Sequence, residues 1–83
     1  QAPHLEHWMP ISESSELAVV RAPKGRAGCP LDLWREAQDS SLQILARISP
    51  TGKLLKVDRF ALLEAGEILV VLGKPEAVMA LGR

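Results

Sequence analysis

His4 and His7 stand three residues apart with Glu6 between them. On one helical turn that spacing would offer two metal ligands, and zinc accepts imidazole and carboxylate. Pro3 and Pro10 flank the pair, and no cysteine or acidic cluster accompanies it. Zinc sites ordinarily use three or four protein ligands, so both histidines are expected as solvated linker residues. Cys29 would be a nucleophile if a neighbouring base lowered its pKa. It lies in a glycine-rich loop with no histidine nearby in sequence, and a structural or incidental thiol is the expectation. The serines at 12, 14, 15, 40, 41 and 49 fall in no nucleophile-elbow pattern. The loop "PKGRAG" holds Lys24, Arg26 and two glycines. A phosphate loop needs Gly-Lys-Ser/Thr running from a strand straight into a helix, and that is absent. Lys24 and Arg26 with backbone N–H groups would still suit an anion, although a solvated basic loop is the commoner outcome.

Chemistry of the catalytic kind is therefore scarce, and the chain is read as a non-enzyme. Its 83 residues make one domain the expectation. A domain of this size buries only about 60% of the surface its unfolded chain exposes, so self-association would help it. Ten basic residues balance ten acidic ones, which gives no general pull toward nucleic acid or anionic lipid. One cysteine excludes an internal disulfide and suits a reducing compartment. No apolar run approaches the ~18 residues of a membrane span, and no signal peptide is visible. A first residue of Gln1 suggests a piece excised from something longer, such as a membrane protein.

The elements that would position these residues follow from pattern. Residues 1–15, "QAPHLEHWMPISESS", read as a linker, with Pro3 and Pro10 blocking regular pairing and Trp8, Met9 and Ile11 available to dock on a surface. "ELAVVRA", 16–22, reads as a strand. A loop with Pro23, Gly25, Gly28 and Pro30 leads into "LDLWREAQ", 31–38, where Leu31, Trp34 and Ala37 or Gln38 share a helical face. Pro30 suits the first turn, and Asp32 and Glu36 favour the helix N-terminus. Trp34 is expected in the core or at a dimer contact, where tryptophan is enriched.

"SLQILARIS", 41–49, alternates with a period of two and reads as the next strand. "PTG", 50–52, is a hairpin turn in which Gly52 is free to take positive φ. "KLLKV", 53–57, is a short strand, and "DRFALLEAG" is a corner with Phe60, Leu62 and Leu63 pointing inward. "EILVVLG", 67–73, is the most apolar strand and the expected centre of the sheet. "PEAVMALG", 75–82, is a closing helix with Pro75 in its first turn and Gly82 near its end. The fold class expected is α+β: a small mixed four-stranded sheet with two helices, in the order β-α-β-β-β-α, over residues 16–83.

Four segments in this order resemble the C-terminal domain of RCK proteins, also called the TrkA C-terminal domain. The resemblance covers residues 16–81. The first segment is "ELAVVRAP", then Gly28 and Leu31, although Cys29 and Pro30 stand where the family favours polar residues. The second is "LQILARI", where the family's strand often ends near a basic residue, here Arg47. The third is the hairpin "SPTGKLLKV", followed by Asp58 and Arg59 where the family often has proline. The fourth is the ending, with Leu63, then Gly66-Glu67, the strand 68–72, Gly73 and a short helix; Glu67 replaces the usual aspartate. A glycine at 66 suits a turn with positive φ, and the adjacent acid would accept backbone N–H bonds there.

The resemblance implies a cytoplasmic regulatory, ligand-sensing and dimerising domain, at the inner face of the membrane, belonging to a potassium channel, potassium transporter or cation/proton antiporter. It implies a homodimer attached to or associated with that membrane protein. Relatives that bind a cyclic dinucleotide hold it at a two-fold dimer interface near the turn after the first helix. Arg35, Gln38, Gln43 and Arg47 are the residues this places near such a ligand, cyclic di-AMP being the nucleotide considered. Gln43 could stand where those relatives have asparagine, whereas Arg35 falls early for their arginine and Ala37 lies closer to that place. A ligand-free dimerisation module of a transporter is the alternative.

Overall fold

The computed structural model describes residues 4–22 and 24–81. Pro3, Pro23 and Gly82, to which the sequence reading gave roles, lie outside them. Strands run His4–Pro10 (β1), Glu16–Arg21 (β2), Gln43–Ile48 (β3), Leu54–Leu55 (β4) and Ile68–Gly73 (β5). Helices run Leu31–Gln38 (α1) and Pro75–Leu81 (α2), and a 3-10 turn spans Lys24–Arg26.

The domain is α+β with two helices, but its sheet has five strands in the order β1-β2-β5-β3-β4. Every pairing is antiparallel, so the expected mixed four-stranded sheet is corrected on both counts. The extra strand is β1, drawn from the segment expected to be a linker. Pro10 is tolerated because it ends an edge strand, where the missing N–H costs no ladder bond. The expected parallel relation does exist, but not between neighbours. β2 and β3, joined through α1, each run antiparallel to β5, and β5 lies between them. The central place expected for the most apolar strand is the one β5 occupies.

Both helices contribute to one core. Leu31 and Trp34 of α1 and Ala77, Val78 and Leu81 of α2 are buried with Ala18, Val20, Leu69 and Val71 of the sheet. Trp34, with no accessible surface, is thus a core residue. Pro30 stands just before α1 and its carbonyl accepts the Trp34 N–H at 3.0 Å, the first bond of the helix. Gly73 is needed for space. A Cβ there would come within 2.5 Å of the Leu42 Cδ2, where α2 closes onto the sheet.

The corner between β4 and β5 departs from expectation. Leu63 is buried, but Phe60 is 75% exposed and Leu62 56%. The reason lies in the backbone. The Leu31 N–H bonds Ala61 O at 2.8 Å, the Leu63 N–H bonds Cys29 O at 2.9 Å, and the Gly28 N–H bonds Leu63 O at 2.8 Å. Residues 61–63 therefore lie extended beside 28–31. In an extended chain neighbouring side chains point to opposite sides, so Leu62 and Leu63 cannot both face the core.

Candidate ligand-binding site at the α1–β3 turn

Backbone carbonyls in an irregular turn need partners that no helix or strand supplies. Arg35, in the last turn of α1, provides them for the turn into β3. Its Nη1 donates to Ser40 O at 2.6 Å and to Leu42 O at 3.3 Å. Its Nε and Nη2 donate to Asp32 Oδ1 at 3.3 and 3.0 Å. The arginine thus folds back over the turn leading into β3. Asp39 shapes the turn itself, with Oδ1 accepting the Ser41 N–H at 2.8 Å and its hydroxyl at 2.6 Å. These two bonds, the hydroxyl first, hold the Asp39 carboxyl below the usual carboxylate range, with Lys74 adding a smaller push the same way.

The turn leaves a cavity of about 360 Å³ beside it. That is the small end of the range for small-molecule sites, roughly 300–1,000 Å³. Leu31, Leu42, Ile44 and Val57 supply apolar lining, and Asp32, Arg35, Ser40, Ser41, Gln43 and Arg59 supply polar groups. Arg59 is largely exposed, with Nη2 3.8 Å from Asp32 Oδ2 and its guanidinium 5.0 Å from the Phe60 ring centre. Asp32 answers both guanidiniums, and Glu36 Oε1 also lies 3.7 Å from Arg35 Nη2, so two cations meet two carboxylates beside apolar walls. Such a site offers guanidinium donors to a polar or anionic group attached to an apolar body, in competition with its own carboxylates.

Of the four residues named from the sequence, Arg35 and Gln43 line this cavity. Gln38 closes α1 and is not among the lining residues. Arg47 is elsewhere, with only 4% of its surface accessible. Its Nε and Nη2 each donate to a Glu67 carboxylate oxygen at 2.8 Å. Its Nη1 and Nη2 also donate to Lys56 O and Leu62 O, both at 2.9 Å. The carboxylate hydrogen bonds keep its guanidinium firmly charged. Arg47 is therefore an internal fastener between β3, the 56–62 corner and the start of β5, with its donors turned away from solvent.

Glu67 does more than the sequence suggested. It accepts the Glu64 N–H at 2.7 Å, the turn bond expected of an acid beside Gly66, whose φ is +76°. It is also the partner of Arg47. The pairing had a signal in the sequence: a lone arginine inside an apolar strand and a lone acid at the mouth of another. A buried charge almost requires an opposite one. Arg59 carried no such signal, because the irregular corner that brings it to α1 has no period to read.

The sequence's other candidates are dispersed. Cys29 is partly buried, its thiol 3.5 Å from Pro30 O and 3.8 Å from Arg26 Nη2. Among the described residues no three His, Cys, Asp or Glu side chains gather as a metal would need. Gly28, with φ +84°, and Leu31 hold the loop and the first turn of α1. Among the described residues no helix is long and apolar enough to cross a membrane. No protein-family model matches the chain, and no curated protein matches it.

Proposed function

We propose that the domain is a regulatory module of the RCK C-terminal kind, which pairs with itself and senses a small anionic ligand on behalf of a potassium channel, potassium transporter or cation/proton antiporter. The observation that carries this reading is the cavity at the α1–β3 turn, which Arg35 and Gln43 both line. The order of strands and helices from β2 onward and the Gly66-Glu67 turn support it through the resemblance stated above. The mechanism is linkage: a ligand that fits one geometry of the pair better than another shifts the population, and an attached membrane protein feels that shift. Cyclic di-AMP is the first ligand to try, with its phosphates toward Arg35 and Arg59 and a base against Leu42 and Ile44. The work is cytoplasmic, at the inner face of the membrane, and involves neither catalysis nor nucleic acid.

A second reading is a dimerisation module that binds nothing. One observation favours it: the Arg35 guanidinium is already engaged by Asp32 and two carbonyl oxygens. Thermal unfolding, with mass in solution, against cyclic di-AMP, ATP, ADP, NADH and divalent cations separates the two. At a free concentration about a hundred times Kd, binding adds about 2.7 kcal/mol. For a domain this small that is an upward shift on the order of 10 °C. A dimer that shifts with one ligand supports the sensor. A dimer indifferent to the whole panel supports the second reading, and an indifferent monomer sinks both.

A further inference from the structure

A guanidinium recognises an anion best through two parallel N–H bonds, one to each of two oxygens. Arg35 offers such an edge, but the group that fills it fits it poorly. Nε and Nη2 both donate to the same oxygen, Asp32 Oδ1, at 3.3 and 3.0 Å. Asp32 Oδ2 lies 3.8 Å from Arg59 Nη2, beyond hydrogen-bond range. One carboxylate is thus divided between two guanidiniums and satisfies neither fully. Glu36, 3.7 Å from Arg35 Nη2, has a side chain 53% exposed, where water screens such a pair.

The position of Arg35 does not depend on Asp32. Its Nη1 is fixed at the other end by Ser40 O at 2.6 Å and Leu42 O at 3.3 Å. With Asp32 turned aside, the Nε–Nη2 edge stays at the wall of the cavity that both residues line. Nor would Asp32 be stranded. Its side chain reaches solvent, and it stands in the first turn of α1, where a negative charge is favoured.

We infer that Asp32 is a built-in counterion that occupies the anion seat of the α1–β3 cavity, and that a ligand's phosphate group takes its place between Arg35 and Arg59. This role rests on the reading of the cavity as a site for an anionic ligand, and it adds what that site rejects. Asp32 is tethered beside the seat and competes at the high effective concentration of a linked group. A small free anion gains only the contacts that Asp32 gives up, and is kept out. A phosphate carried on an apolar body also buries that body against Leu31, Leu42, Ile44 and Val57, a gain Asp32 cannot match. Asp32 therefore makes the seat selective for nucleotide-like phosphate esters over free phosphate and carboxylates. The engagement of Arg35 that favours a ligand-free module becomes the resting state of the seat.

The test is an NMR titration of the isotope-labelled 83-residue chain, wild type and Asp32→Asn, at constant ionic strength. The probes are cyclic di-AMP, AMP, adenosine and inorganic phosphate. In wild type a nucleotide is expected to shift the Arg35 Nε–H signal and the Asp32 carboxyl carbon in step. Adenosine and inorganic phosphate are expected to leave both in place across the millimolar range. D32N should bind the nucleotide about fivefold more tightly, the upper end of what removing an exposed ion pair gives, and should begin to bind inorganic phosphate. A nucleotide that moves Arg35 but not the Asp32 carbon, or that binds folded D32N no more tightly, overturns the counterion role and leaves the cavity a ligand site. Inorganic phosphate that binds wild type as well as the nucleotides does the same to the selectivity. If D32N fails to fold, the Asp32 carbon of wild type decides alone. Nucleotides that reach Arg35 in neither protein overturn both the role and the reading beneath it.

Discussion

The two faces of the sheet carry almost the same side chains and have different fates. Toward the helices stand Ala18, Val20, Leu69 and Val71, sealed from water; away from them stand Leu17, Val19, Val70 and Leu72, only partly sealed. One further difference separates them. The covered face also buries a charge pair, Arg47 with Glu67, beneath the 56–67 corner. The comparison shows that composition alone does not identify a core. A face becomes a core when something lies over it. On the covered side even two full charges are accommodated, because their partners are built in.

The covered face should break most severely through its ion pair. Glu67→Gln leaves the Arg47 guanidinium buried without an opposite charge, at a cost of about 3–5 kcal/mol in urea unfolding. The double variant Arg47→Met with Glu67→Leu should lose less than either single replacement, since no orphaned charge remains. Equal or additive losses would mean that the pair is more hydrated than its geometry indicates.

The next contrast sets one leucine against another. Leu69→Ala on the covered face should cost about 2–5 kcal/mol. Leu72→Ala, three residues on and on the open face, should cost well under half of that at low protein concentration. Equal costs at every concentration would erase the distinction between the faces.

A smaller effect belongs to the turn that feeds β5. Gly66→Ala should cost about 1–2 kcal/mol, because φ at this position is +76°. The nearest atom a Cβ would meet, Pro50 Cγ, is 3.8 Å away, so the cost is backbone strain and not a clash. A neutral result would show that the turn relaxes to negative φ.

The smallest effect is one of pH, in the turn between α1 and β3. Asp39 is held below the usual range by Ser41. Its folded pKa lies below its unfolded one, so its contribution is complete above the unfolded value of about 3.9 and is lost as pH falls through the folded value. In Ser41→Ala the Asp39 titration, followed by NMR, should move up toward the ordinary value. An unmoved midpoint would assign the depression to the backbone N–H of residue 41, which the variant keeps, and to Lys74.

Much of this was legible before any coordinates, where local pattern decided the outcome. The helix over 31–38, the turn at 50–52 and the central place of 67–73 follow from period, proline and glycine, or hydropathy. Positive φ at Gly66 and the N–H bond accepted by Glu67 follow from turn chemistry. What escaped depends on distance along the chain. His4–Pro10 reads as a linker because its two prolines are breakers in isolation; only the neighbouring β2 makes one of them an acceptable strand end. Phe60 and Leu62 read as core by type, and the pairing of 61–63 with 28–31 turns Leu62 outward. At the cavity, Arg35 and Gln43 were in view because they border one turn. Arg59 was not, since it arrives from a distant corner. Arg47 was chosen for its charge, and its charge is spent inside.

The position of β5 also has a consequence for how the chain comes into being. β2 and β3 make no ladder with each other; each pairs with β5. Until residues 68–73 have been synthesised, only two separate ribbons can form, β1 with β2 and β3 with β4. Neither has a closed core, and long-range pairing of this kind is slow because distant segments must meet first. Ala18 and Val20 therefore wait in water from early in synthesis until a strand some fifty residues later reaches them. A nascent chain stopped short of residue 68 should be protease-sensitive and a ready client for chaperones, and one carried through residue 81 should resist digestion.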